Sequence, residues 1–148
     1  MKITFESAPL DEPEITIRGR LDSPKVSEII NLLNSSYRAG KLFLYKDDRE
    51  YLTNADEIYY FEALNNKVYA KTAEGSFEVK NKLYELAESL RSSGFIQLNK
   101  GVLSNVNQIC SVEAEFSGNY TAVLKNGEKL IISRKFIKPF RKYVMEEY

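Results

Sequence analysis

The chain has no histidine and a single cysteine in 148 residues. Without histidine there is no Ser-His-Asp or Cys-His nucleophile pair, no imidazole general base and no imidazole metal ligand. A zinc site built from one thiol and no imidazole would need a carboxylate shell, which is rare. No disulfide can close within the chain. Cys110, in the apolar stretch Ile109-Cys110-Ser111-Val112, reads as a small buried hydrophobe. The glycine patterns G-x-x-x-x-G-K-[ST] and G-x-G-x-x-G are both missing, so no phosphate-cradling loop or dinucleotide turn is encoded. No apolar run approaches the roughly 20 residues that span a bilayer. The N-terminus lacks a basic region followed by an apolar stretch, so no signal peptide is expected. These absences make an enzyme the weakest reading. They imply no cofactor, no metal and no membrane insertion, and a reducing cytoplasmic setting is the expectation.

Charge is present but unevenly placed. The formal net charge is +0. Residues 1–62 carry 8 Lys and Arg against 12 Asp and Glu, whereas residues 63–148 carry 13 against 9. Between Lys125 and Lys142 there are seven basic residues and one acidic residue, Glu128. An asymmetry of this kind directs attention to a polyanion-binding surface in the second part of the chain.

Periodicity divides the chain into an extension, residues 1–41, and a main domain, residues 42–148. In the extension, Lys2–Glu6 and Glu14–Arg18 are strand-like runs separated by Pro9 and Asp11-Glu12-Pro13. A helix follows, capped by Ser23 with Pro24 at its first position. Val26, Ile29, Ile30 and Leu33 form its apolar stripe, and Ala39-Gly40 marks its end. The extension is thus expected to be β-β-α, its stripe packing inward or on a second copy of the chain.

The main domain reads as mostly β. Strands are expected at Leu42–Tyr45, Glu50–Thr53, Glu57–Ala63, Lys67–Thr72 and Ser76–Lys80. Asp47-Asp48, Asn65-Asn66 and Ala73-Glu74-Gly75 form the intervening turns. Asn81 caps a helix with Leu83, Leu86, Ala87 and Leu90 on one face, ended by Ser92-Ser93-Gly94. Further strands are expected at Phe95–Leu98, Val102–Val106 and Ile109–Phe116, with turns at Asn99-Lys100-Gly101, Asn107-Gln108 and Gly118-Asn119. The clearest hairpin is Tyr120–Lys125 and Glu128–Ser133 around Asn126-Gly127. Phe136, Phe140, Tyr143 and Val144 form a helical stripe, within which Pro139 is expected to kink or delay the helix. Asn105 is read as a structural residue in a tight connection. Tyr59, Tyr60 and Phe61 fit alternating faces of a strand better than base stacking.

Several of these segments, taken in order and spacing, carry a family resemblance. They begin with Ile58-Tyr59-Tyr60-Phe61-Glu62-Ala63, Asn66-Lys67-Val68-Tyr69, Thr72 and Gly75. The helix with Leu83, Leu86 and Leu90 comes next, then Phe95-Ile96-Gln97-Leu98-Asn99-Lys100 and Asn105-Val106-Asn107-Gln108-Ile109. The most recognisable piece runs from Leu124-Lys125-Asn126-Gly127-Glu128-Lys129-Leu130 into Ile132-Ser133-Arg134-Lys135. In this order and spacing the segments resemble the LytTR family of bacterial DNA-binding domains, over roughly residues 43–147.

The resemblance implies a mostly β (α+β) fold of small antiparallel sheets with a short helix. It implies a transcriptional regulator that reads double-stranded DNA with loops in successive major grooves, without a recognition helix. The base-reading positions it implies are Asn66 and Lys67, Asn99 with Lys100, and Arg134. Arginine pairs bidentately with guanine O6/N7 and asparagine with adenine N6/N7. Lys100, Lys135 and Lys138 are implied phosphate contacts, which position without reading sequence. A homodimer, at least on DNA, and control by a separate regulatory protein are the partners implied. The chain departs from the pattern at Gly101, at Pro139 and in having no histidine at the first reading position. About 41 residues before the domain are too few for a receiver domain of roughly 100 residues. The competing reading is a protein-interaction module of the same fold without autonomous DNA binding.

Overall fold

The computed structural model describes residues 2, 4–9, 14–38 and 40–147. The chain falls into two compact units, Met1–Asn34 and Ser35–Tyr148. The Asp11-Glu12-Pro13 break, Ile3 and Ala39 lie outside the described residues.

The expected helix forms as α1, Pro24–Arg38, and runs past the end of the first unit. Ser23 caps it through its Oγ, which accepts the Val26 N–H at 3.4 Å. The two expected strands do not form: among the described residues of 1–22 none is in a strand. Alternation alone is insufficient, because a strand persists only where its backbone groups find a ladder partner and one face is buried. Phe5 and Ile15, the apolar members of the two runs, are instead 92% and 68% exposed.

The second unit holds ten strands and two α-helices. They are β1 Lys41–Lys46, β2 Arg49–Asn54, β3 Ile58–Leu64, β4 Lys67–Thr72, β5 Gly75–Val79, α2 Leu83–Ser89, β6 Phe95–Asn99, β7 Val102–Asn105, β8 Ile109–Ala114, β9 Tyr120–Leu124, β10 Lys129–Ile132 and α3 Arg134–Lys142. Seven strands form one antiparallel sheet in the order β2-β1-β5-β4-β3-β7-β6, and β10-β9-β8 form a second. The fold is therefore mostly β with small antiparallel sheets and short helices, as expected.

Two apolar cores lie on either side of β3. On one side Leu83 and Leu86 of α2, with Leu90 just after it, are buried with Ile58, Phe61, Ala70, Phe77, Phe95 and Leu103. On the other, Tyr60, Ile96 and Leu98 pack with Ala122, Leu124, Leu130 and Ile132 of the second sheet and with Phe140 and Tyr143. Side chains alternate across a strand, so Tyr60 and Phe61 enter different cores. A register shift between Ile58 and Tyr60 lets Ile58 and Phe61 share one core although they are three apart.

Several turns follow from local chemistry. Asp47-Asp48 and Asn65-Asn66 connect their hairpins with φ of 52°, 60°, 51° and 63°. Positive φ at both central residues is the two-residue turn that matches strand twist, and Asn and Asp tolerate it. The Asn126-Gly127 hairpin differs from expectation. Only Gly127 there has positive φ, at 89°, and the Gly127 N–H bonds the Leu124 carbonyl at 2.9 Å. The loop is therefore Lys125-Asn126-Gly127, an ordinary turn closed by a glycine bulge rather than an Asn-Gly mirror turn.

Two helix expectations shift. The cap of α2 is Lys82, one residue after Asn81, with the Glu85 carboxylate accepting the Lys82 N–H at 3.3 Å. Pro139 neither delays nor ends α3, which starts at Arg134 and runs on to Lys142. Proline removes one backbone bond here, while burial of Phe140 and Tyr143 holds the segment. A wide turn, Tyr143–Glu147, follows. The Tyr143 hydroxyl donates to the Arg91 carbonyl, anchoring this end of the molecule.

Cys110 is exposed, contrary to its reading as a core residue. The register between β8 and β9 shifts between Ile109 and Ser111. Cys110 is the extra residue of that bulge, so the alternation that would have buried it is broken. Its Sγ donates to the Val123 carbonyl at 3.2 Å.

Candidate nucleic-acid interface

Asn66 and Lys67 lie at the β3–β4 turn, and Asn99 and Lys100 at the β6–β7 turn. The two turns share one end of the seven-stranded sheet. Leu64 pairs with Lys67 and Glu62 with Val102, and the Ala63 N–H donates to the Gly101 carbonyl at 2.8 Å. A Cβ at Gly101 would stand 3.7 Å from the Ala63 oxygen, in ordinary contact, so this approach leaves room for a side chain. The register of the central strands thus brings the first two predicted reading positions side by side.

The side chains there differ in availability. Asn66 is exposed. Lys67 faces Glu78 at 3.7 Å, with both side chains well exposed, and a surface pair of this kind holds weakly. Asn99 has both amide ends engaged. Its Nδ2 donates to the Ile131 carbonyl at 2.8 Å, and its Oδ1 accepts the Gly101 N–H at 2.9 Å. Asn99 is thus the link between this end of the large sheet and β10. Lys100, at the turn tip, is exposed.

The same link leads to the third predicted position. The Ser133 N–H donates to the Leu98 carbonyl at 2.9 Å, and Arg134 follows as the first residue of α3. The Arg134 N–H donates to Asn119 Oδ1 at 3.1 Å, and its Nη2 donates to the Ser117 carbonyl at 2.6 Å. The guanidinium is thereby fixed at one edge by the loop between β8 and β9.

Helix α3 gathers the charge. At about 100° per residue, Arg134, Lys135, Lys138, Arg141 and Lys142 fall within an arc of about 120°. Phe136, Ile137 and Phe140 take the opposite face, packed in or against the second core. Lys135 and Lys138 are exposed. No acidic residue occupies the first turn. Two cations at the positive end of a helix cost stability rather than add to it, while together they suit an anionic oxygen.

Sequence reasoning missed the contributions of Ser117, Gly118 and Asn119. They reach Arg134 across 15 to 17 residues, and a glycine followed by asparagine signals only a turn. It also missed Glu128. Its Oε2 accepts the Tyr60 hydroxyl at 2.9 Å, and its Oε1 accepts Asn126 Nδ2 at 3.1 Å. Asn105 has the structural role expected of it: its amide donates to the Ile58 carbonyl at 3.1 Å and accepts the Asn107 N–H at 3.1 Å.

Comparison with known proteins agrees with this architecture. A sensory transduction protein LytT of Bacillus anthracis is 26% identical over 102 residues, spanning 69% of this chain and 42% of that protein. The chain therefore spans less than half the length of these LytT relatives. An uncharacterized HTH-type transcriptional regulator of Staphylococcus aureus (strain MRSA252) is 28% identical over 137 residues, 93% of this chain and 92% of that one. The solved LytTr DNA-binding domain of a Bacillus cereus response regulator superposes with a TM-score of 0.67 at 24% identity, covering 72% of this chain and 97% of that domain. The model of the LytTr DNA-binding domain matches residues 48–145, about two-thirds of the sequence, and the chain belongs to that family.

Proposed function

We propose that the chain is a sequence-specific transcriptional regulator that reads the major grooves of double-stranded DNA through loops. Asn66, Lys67 and Arg134 contact base edges, and Asn99 does so through the second hydrogen of its Nδ2, the first being held by the Ile131 carbonyl. Lys100, Lys135 and Lys138 contact phosphates. The family is one of DNA-binding domains rather than of enzymes. The observation that carries the reading is the convergence of the turns bearing Asn66 and Asn99 at one sheet end, joined to the start of α3 through Asn99 and Ile131. The basic arc of α3 supplies the complementary charge. Among the described residues α2 and α3 are separated by five strands, so no helix pair of the helix-turn-helix kind is available, and reading falls to the loops.

In this reading two copies bind a pair of short motifs spaced by whole duplex turns, roughly 10 bp each. Residues 1–41 serve as a dimerisation element, a separate protein regulates the chain, and it acts in the cytoplasm. No helix among the described residues is long and apolar enough to cross a membrane. The competing reading, an interaction module that does not bind DNA, is favoured by the net charge of +0.

Selection from a randomised duplex pool, followed by fluorescence anisotropy at two salt concentrations, tests this. A paired motif should be enriched, and binding should weaken at the higher salt. Arg134→Ala should lose its preference at a guanine by roughly tenfold, as one bidentate base contact predicts. A folded protein that enriches no motif would sink the reading in favour of the interaction module.

A further inference from the structure

We infer that the loop between β8 and β9, Glu115–Asn119, is part of the DNA interface, and that Phe116 touches the C5-methyl of a thymine beside the base read by Arg134. The inference rests on Arg134 being a base reader. It adds an apolar specificity contact.

The loop and Arg134 are built as one unit. Arg134 donates to the Ser117 carbonyl at 2.6 Å and to Asn119 Oδ1 at 3.1 Å. Gly118 has a φ of +86°, and a Cβ there would stand 2.8 Å from the Arg134 Nε. The backbone conformation favours glycine here, and a Cβ would displace the guanidinium from its place on the loop. The loop also closes on itself. The Glu115 N–H donates to the Asn119 carbonyl at 2.9 Å, and the Gly118 N–H to the Glu115 carbonyl at 3.1 Å. The Glu115 carboxylate accepts the Thr121 hydroxyl at 2.6 Å, so it too is engaged within the protein.

Phe116 is the one apolar residue of this loop, and it is fully exposed. An isolated exposed hydrophobe is ordinary on a protein surface. This one precedes Ser117, whose carbonyl holds Arg134, so one short loop carries the ring and fixes the guanidinium. The basic arc that begins at Arg134 selects a polyanion rather than an apolar protein face. The major groove displays one apolar feature among its donors and acceptors, the thymine methyl, and a phenyl ring is among the groups that meet it.

The test uses the full chain and the duplex it selects. Each thymine is replaced in turn by uracil, which deletes only the methyl. One replacement, next to the guanine whose preference depends on Arg134, should weaken wild type about fourfold, the worth of one buried methyl-sized group. The same replacement should leave Phe116→Ala unchanged. An unaltered thermal midpoint would show that this exposed substitution leaves the fold intact. Gly118→Ala should reduce the guanine and thymine preferences together. If the guanine preference persists but no thymine distinguishes wild type from Phe116→Ala, the loop contact is wrong while base reading by Arg134 stands. If no sequence is selected at all, both fall. Tighter DNA binding by Gly118→Ala would mean that the loop holds Arg134 away from DNA, which also overturns the inference.

Discussion

Tyr60 and Glu128 are 68 residues apart in sequence, and a hydrogen bond joins them across the two sheets. Burial pushes the Tyr60 hydroxyl well above the ordinary tyrosine value, helped by the hydrogen bond to Glu128 and by the charges of Glu128 and Glu62. A pKa raised in the folded state gives stability that is whole below the unfolded value, about 10, and fades as pH rises beyond it. Tyr60→Phe should therefore lower the unfolding free energy by about 1 kcal/mol at neutral pH. It should also flatten the decline above about pH 10, where the unfolded tyrosine ionises. Urea melts of both proteins across that range check this, and equal slopes would deny the bond its role. Neither partner was legible from its neighbours: Tyr60 belongs to a strand and Glu128 to a hairpin motif, and only the fold brings them together.

The turn bearing Asn66 allows stability and recognition to be separated at the scale of an element. Glycine accepts positive φ at least as readily as asparagine, so Asn66→Gly should move the denaturation midpoint little, within about 0.5 kcal/mol. If Asn66 reads a base, the same change should erase one position of the selected motif. A motif that survives intact would leave Asn66 as a turn residue only. Strand and turn positions in the main domain were readable because period-two runs and Asn-Asn, Asp-Asp and Gly turns are local signals. The described residues of the N-terminal runs show the same pattern without a ladder partner, so pattern alone misleads there. Cys110 went wrong because one bulged residue shifts the alternation. The predicted interface residues were nameable by type and order. That Asn99 spends its amide on Ile131, and Arg134 its guanidinium on Ser117, depends on contacts across 32 and 17 residues, which no local pattern carries.

For the whole molecule, a net charge of +0 conceals a surface sorted by region. If the arc on α3 lies along the phosphates, each lost contact should reduce the slope of log K against log salt by about one. Lys138→Ala should do so while weakening all duplex sequences alike, in contrast to Arg134→Ala. A salt slope identical to wild type would remove Lys138 from the interface. The placement of β3 has a separate consequence. Because Phe61 belongs to one core and Tyr60 to the other, neither layer has a complete wall without this strand. The second unit should melt as a single cooperative transition. It should not survive being cut into an α2-covered half and an α3-covered half, and an insertion within β3 should abolish both, whereas the same insertion at a hairpin tip should be borne.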